Sequence, residues 1–265
     1  MKKIITRVLS LVLVFALLSL TACGKTPYEV INGAVERTEE LNSYEAVITN
    51  TYEIDMGITK IEMPMVIEMK ATNLRGENPK IYSKVSVTVS GITSVAETYI
   101  EGDWAYVIQG DTKFKLNLER VSDSLEVQYD YTDFVDSMLE DLPPSLFENV
   151  TLEKTDDGSK TVALDIPDTL FKEIFDDLLE TNSTILENLT DSVGSAVVSE
   201  AKLSLSVNGS YVNRYSVEYK VTLPIILGTS ISAKITSVCE IKNHGGNISI
   251  SYPDGYKSFA DYTGN

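Results

Sequence analysis

The chain has 265 residues, with 22 basic and 39 acidic side chains, a formal charge of −17 and 43% apolar residues. So acidic a protein is poorly suited to nucleic acid, whose phosphates need a basic partner surface, and to anionic lipid held through a basic patch. One His and two Cys leave little for His-dependent catalysis or Cys/His metal ligation, while apolar residues in periodic order argue against disorder.

Residues 1–22 read as a signal peptide. Lys2, Lys3 and Arg7 form a positive start, Val8 to Leu20 is a nearly unbroken apolar stretch, and Leu20-Thr21-Ala22-Cys23 closes it. That stretch is shorter than the ~20 residues of a membrane-spanning helix. The last four residues resemble the bacterial lipobox. This implies cleavage before Cys23, a diacylglycerol on its sulfur, and a mature domain over 23–265. An ordinary signal whose cleavage point happens to flank a Cys is the alternative. Losing three cations with the signal takes the net charge from −17 to −20. Each buried CH₂ contributes about 0.8 kcal/mol, so two or three acyl chains hold a domain where one does not. With Cys23 acylated, Cys239 has no disulfide partner. Its phase with Ile231, Ala233 and Ile235 marks it as a small buried apolar residue.

Thr26-Pro27-Tyr28-Glu29 is a capping box with Pro at the first helical position. Val30, Ile31, Ala34, Val35 and Leu41 follow at helical spacing, which predicts a helix over 27–42. From Tyr44 the period is two. Tyr44, Ala46, Ile48, Tyr52, Ile54 and Met56 share one face; after a turn at Gly57, so do Ile61, Met63, Met65, Ile67 and Met69. The alternation returns at Ile81-Val85-Val87-Val89, Trp104-Tyr106-Ile108 and Phe114-Leu116-Leu118. It resumes at Val162-Leu164-Ile166, Leu203-Leu205-Val207, Tyr211-Tyr215-Tyr219 and Ile231–Ile241. Such alternation marks antiparallel strands with one dry and one wet face. Gly110-Asp111, Asp157-Gly158, Asn208-Gly209 and the turn around His244 separate them.

A helical insertion is expected over about 131–197. Phe134, Val135, Met138, Leu139 and Leu142 keep helical spacing up to Pro143-Pro144. Leu170, Phe171, Ile174, Phe175, Leu178 and Leu179 form the strongest amphipathic stripe, and Ile185, Leu186, Leu189 and Val193 predict a further helix. The fold class is therefore α+β: a curved antiparallel sheet of roughly ten to twelve strands, a half-open barrel, with N-terminal and inserted helices on its concave face. About eleven strands at ~4.8 Å spacing make a layer roughly 50 Å wide, which curls. Three or four helices of ~10 Å diameter cover only part of it. The uncovered dry face becomes an apolar groove; a solid interior is the other outcome.

The N-terminal helix, Leu41-Asn-Ser-Tyr44-Glu-Ala, the long strands, Glu97-Thr-Tyr99-Ile-Glu-Gly102-Asp-Trp104-Ala-Tyr106 at mid-sheet, the helical insertion and the closing strands together resemble the LolA/LolB/LppX-like lipoprotein superfamily. The layout is nearest to Gram-positive lipoproteins of this kind. The resemblance rests on layout over nearly the whole mature chain and implies a concave face that accommodates acyl chains. The ligand-lining candidates are Met56, Met63, Met65, Met69, Tyr44, Tyr52, Tyr215, Tyr219, Phe171 and Phe175. Thioethers adapt to irregular apolar ligands, and a row of inward phenols, each needing a hydrogen-bond partner, suits a cavity rim better than a dense core.

No catalytic residue, metal ligand or cofactor motif stands out. His244 lies in Asn-His-Gly-Gly-Asn and is expected as an exposed hairpin residue. The expectation is a non-enzymatic lipoprotein, anchored through Cys23 on the extracytoplasmic face of a cell membrane and carrying a lipid. The alternative is a cell-envelope interaction protein with a solid core and an acidic binding surface.

Overall fold

The computed structural model describes residues 25–118, 142–181, 196–224 and 230–262. Cys23 with its signal, the helix expected around Phe134 and the one expected around Leu186 fall outside the described residues. Twelve strands form a single sheet: β1 (Ser43–Asp55), β2 (Lys60–Thr72), β3 (Lys80–Val89), β4 (Ile92–Glu101), β5 (Trp104–Gln109), β6 (Thr112–Asn117), β7 (Glu153–Lys154), β8 (Lys160–Asp165), β9 (Val197–Asn208), β10 (Tyr211–Pro224), β11 (Ser230–Lys242) and β12 (Ala260–Asp261). Their order is β12-β6-β5-β4-β3-β2-β1-β11-β10-β9-β8-β7. Two meanders thus spread outward from a central β1–β11 pair, and β12 alone pairs in parallel, with β6. The fold is an α+β half-barrel: one curved, open, mostly antiparallel sheet with two described helices, α1 (Pro27–Glu39) and α2 (Asp168–Thr181).

Helix α1 starts where its capping box dictates. The Glu29 amide donates to Thr26 Oγ1 at 3.2 Å, and the Thr26 amide donates to Glu29 Oε2 at 2.8 Å. The helix ends at Glu39, three residues short of the expected boundary, because the next residues are tied elsewhere. Asn42 accepts from the Leu74 and Arg75 amides, and the Ser43 hydroxyl donates to the Gly246 carbonyl at 2.7 Å. Ile31, Ala34 and Val35 bury one helical face. Buried Thr38 joins helix to sheet: its hydroxyl donates to the Ala34 carbonyl and accepts the Val212 amide at 2.9 Å. Helix α2 lies on β9. A bulge there sets two residues, Glu200 and Ala201, against Tyr219 alone. Glu200 adopts φ 58°, a conformation costly for a residue with a Cβ, and its amide donates to Asp168 Oδ1 at the helix start, 3.1 Å away.

Cross-strand register assigns the faces. Tyr44, Ala71, Ile81, Ile100 and Ala105 lie opposite one another across five strands, as do Ile48, Cys239 and Tyr215 on the other side of β1. Beneath the helices this face is a dry core. Leu203, Leu205, Val162 and Val217 are buried, and each such side chain contributes about 2 kcal/mol by leaving water.

Three expectations change. Trp104, Tyr106 and Ile108 face outward, opposite Glu101, Tyr99 and Glu97, while Ala105 and Val107 point inward. The alternation is real but inverted, because the C-terminal segment covers the outer side of β4 and β5 at Tyr99 and Tyr106. Tyr252 packs on Tyr99, Tyr256 packs on Tyr106 with ring centroids 4.7 Å apart, and the Tyr256 hydroxyl donates to Glu101 at 2.7 Å. A bulge at Asn213 sets Val212, not Tyr211, opposite inward Val207. Finally, His244 is half-buried, stacked on Tyr211 at 5.3 Å, with Nε2–H donating to the Val212 carbonyl at 2.9 Å. Its neighbours across the turn enclose it.

Candidate functional site

The inward face is sealed at the end where α1 packs and opens toward the β1–β2 and β3–β4 turns. Tyr44 and Met69 belong to the sealed end: both are buried, and the Tyr44 hydroxyl donates to Met69 Sδ at 3.6 Å. Tyr215 is buried beside Cys239. Burial pushes the Cys239 thiol up to about 12, with a Tyr215 hydrogen bond pulling the other way, so it is the unreactive core residue its phase implies. These three candidates (Tyr44, Met69 and Tyr215) are core, not lining. Met56 is 41% exposed at the β1–β2 turn, where its amide donates to the Thr59 carbonyl; it lies outside any site.

The remaining six come together, Phe171 as a buried core residue and the other five as half-buried ones. Phe171 and Phe175, one turn apart on α2, stand 5.1 and 6.1 Å from the Tyr219 ring. The Glu200–Ala201 bulge, by anchoring the helix start, sets this arrangement. Tyr52 shares a register row with Tyr219 through Ile235 and with Met63 on its other side; Met65 lies one row further in, opposite Asn50. Phe175, Tyr219, Tyr52, Met63 and Met65 are all half-buried. Burial pushes the Tyr219 phenol up to about 12, and nearby Tyr52 adds to the rise; burial raises Tyr52 as well. Both phenols are neutral at physiological pH and can donate hydrogen bonds.

Four lining residues were not singled out from sequence. Val85 and Val87 extend the apolar floor opposite Ile67 and Met65. Asn50 and Ser237 lie directly opposite each other on the inward face. Parity with Ile48 and Tyr52 places Asn50 there, but its polarity breaks the apolar run and conceals it. Across β1–β6, β10 and β11, register puts no Asp, Glu, Lys or Arg on the inward face among the described residues.

The charges are outside. A cleft of about 470 Å³ lies among outward Glu53, Lys60, Glu62, Glu218, Lys220 and Lys234. Its ion pairs include Lys234–Glu218 at 3.1 Å and Lys60–Asp55 at 3.5 Å; such exposed pairs each contribute about 0–1 kcal/mol. A second outer cleft of about 450 Å³ is lined by hydroxyls, among them Thr161, Ser204 and Ser206. The sheet therefore has an apolar, uncharged inner side and a wet, charged outer one.

No protein-family model and no curated protein matches the sequence. Among solved structures the chain is similar to LprF from Mycobacterium bovis, with 12% identity and a TM-score of 0.44 over 88% of this chain and 100% of that one. It is also similar to a DUF1329 family protein from Desulfovibrio piger, with 11% identity and a TM-score of 0.27 over 86% and 96% of the two chains. Likeness at this level carries no functional weight, and the function has to be argued from the concave face itself.

Proposed function

We propose that the chain is an extracytoplasmic lipoprotein, anchored through acyl chains on Cys23, that binds a lipid against the open half of its concave face. Its role on this reading is binding, not catalysis. The observation that carries the proposal is the gradient along one apolar face. Leu203 and Leu205 are fully enclosed, whereas Met63, Met65, Val85 and Val87 are half-buried, and Val89 and Ile92 are 43% and 74% exposed. A contiguous apolar surface of this kind marks an interaction site more often than it marks solvent-facing surface. Two methionines and two ring-bearing walls suit a flexible chain.

A second reading, a cell-envelope interaction protein using its acidic exterior, draws support from Glu53 and Glu62. They lie directly opposite each other on the outer face, a like-charge pairing that disfavours the isolated sheet. Mass spectrometry of organic extracts separates the two. The protein, freed from membranes by Cys23→Ser, is expected to co-purify with lipid. A lipid-free protein that takes up no fluorescent lipid excludes the first reading and leaves the second. Membrane retention of the Cys23→Ser chain refutes the anchor.

A further inference from the structure

Four polar side chains interrupt the apolar concave face at one place: Asn50, Ser237, Tyr52 and Tyr219. Asn50 and Ser237 are direct cross-strand partners on β1 and β11. In the adjacent inward row, Tyr52 and Tyr219 flank Ile235 from either side. All four are half-buried, and none of their side chains hydrogen-bonds to a described residue. Elsewhere polar groups find partners readily: Tyr44 reaches Met69, Tyr252 the Ile100 carbonyl, Tyr256 the Glu101 carboxylate, Thr161 the Ser206 hydroxyl. None of the four carries a polar atom that is both buried and unpartnered, so water meets them when the face holds no ligand, and a ligand seated here has to replace those hydrogen bonds with its own polar groups. Phe171 and Phe175 of α2 pack on Tyr219 at one side of the four, and on the other side Met63, Met65 and Val87 continue the same register rows.

Resting on the lipid-binding reading above, we propose that Asn50, Ser237, Tyr52 and Tyr219 form the headgroup subsite of the concave face, and that it selects an uncharged acylglycerol ester. The phenols, the hydroxyl and the amide NH₂ are neutral donors suited to ester carbonyls and a glycerol hydroxyl. The amide oxygen and the hydroxyls accept in return. A fatty-acid carboxylate or a lipid phosphate would be taken out of water with no cation to meet it, because this face carries none on the strands that line the subsite. The acyl chains of the ester then lie along Met63, Met65 and Val87.

The test uses the full-length chain reconstituted in phosphatidylcholine vesicles, containing either photoactivatable diacylglycerol or photoactivatable palmitate at equal mole fraction, at pH 8. Cross-links are counted by mass spectrometry on peptides of β1, β2, β10 and β11. Diacylglycerol is expected to exceed palmitate about tenfold. Each lost neutral hydrogen bond lowers that preference by roughly 2- to 10-fold, so Tyr52→Phe with Tyr219→Phe, which keeps both rings, largely erases it. Asn50→Leu gives a second, independent loss. A ¹³C-carbonyl diacylglycerol bound to the wild type shows an infrared C=O band shifted by hydrogen bonding, and the double Phe variant loses that shift. Equal or greater labelling by palmitate overturns the selection of an uncharged ester. An unchanged preference and carbonyl band in the double Phe variant overturns the subsite. Both results leave lipid binding itself standing. Absence of labelling by either lipid on these strands overturns the lipid-binding reading and this assignment with it.

Discussion

Replacing Leu205 and Met63 by Ala, one at a time, probes the two ends of the concave face. Leu205 lies in a closed row, opposite Tyr215 on one strand and Val162 on the other, and is 0% exposed. Truncating a fully buried Leu removes its transfer free energy and leaves a cavity that a rigid sheet cannot collapse, a loss of about 3–4 kcal/mol. Met63 is also inward, opposite Tyr52, yet half-buried. Its truncation forfeits only part of the transfer term and opens no closed void, a loss of about 1 kcal/mol. With a urea m-value of about 2–3 kcal/mol/M, Leu205→Ala lowers the unfolding midpoint by more than about 1 M and Met63→Ala by less than about 0.5 M. Lipid affinity runs the other way, with Met63→Ala losing more than Leu205→Ala. A Met63→Ala midpoint shift as large as that of Leu205→Ala means that the open end is closed core, and the argument for a binding face there fails.

Two further outcomes follow from local geometry. Thr26→Ala removes the side chain that accepts the Glu29 amide and should cost about 1 kcal/mol in urea denaturation; a change below about 0.3 kcal/mol shows that α1 does not depend on its cap. The Glu101 carboxyl is held below its ordinary 4.5 first by the Tyr256 hydroxyl and then by Lys80 and Lys257, with burial opposing. A depressed carboxylate stabilises the fold above its unfolded pKa and loses that contribution as pH falls through the folded value, so the C-terminal segment docks fully at neutral pH and loosens below about pH 4.5. Trp104 is the chain's single tryptophan and the cross-strand partner of Glu101, so its fluorescence reports the step. Glu101→Gln is expected to flatten the step, and an acid transition unchanged in that variant assigns it to other groups.

Where one side of a strand faces core and the other water, sequence alternation specified the structure well. β1, β2, β10 and β11 keep the expected phase over most of their length, and Cys239 is buried where that phase puts it. Thr26 and Glu29 likewise mark the start of α1. Alternation fails where both sides of the sheet are covered. In β5 the larger residues, Trp104 and Tyr106, face outward, and Tyr106 meets a C-terminal segment whose docking is a long-range event with no local period. The tyrosines at 252 and 256 are the only signal of it. β4 has no clean pattern either: its first four residues are exposed, and only toward its end are neighbours Tyr99 and Ile100, on opposite faces, both buried. Bulges at Asn213 and at Glu200–Ala201 reset the phase by one residue, so Tyr211 leaves the inward face and α2 gains its anchor point. Of the ten lining candidates, Tyr52, Met63, Met65 and Tyr219 converge because they lie in two adjacent rows, and Phe171 and Phe175 join them from α2 through Tyr219. Tyr44, Met69 and Tyr215 share their phase but sit further along the strands, under the helices, and distance along a strand is what periodicity does not report.

The most direct measurement compares uptake of a fluorescent diacylglycerol by Met65→Asp and by Glu62→Lys. The two sites are three residues apart on β2, one facing inward opposite Asn50 and the other outward opposite Glu53. An ionised carboxylate on the apolar face should weaken uptake by more than about tenfold, while the outer charge reversal should change it by less than about twofold. Similar losses in both variants, or full uptake by Met65→Asp, contradict the assignment of the ligand to the concave face.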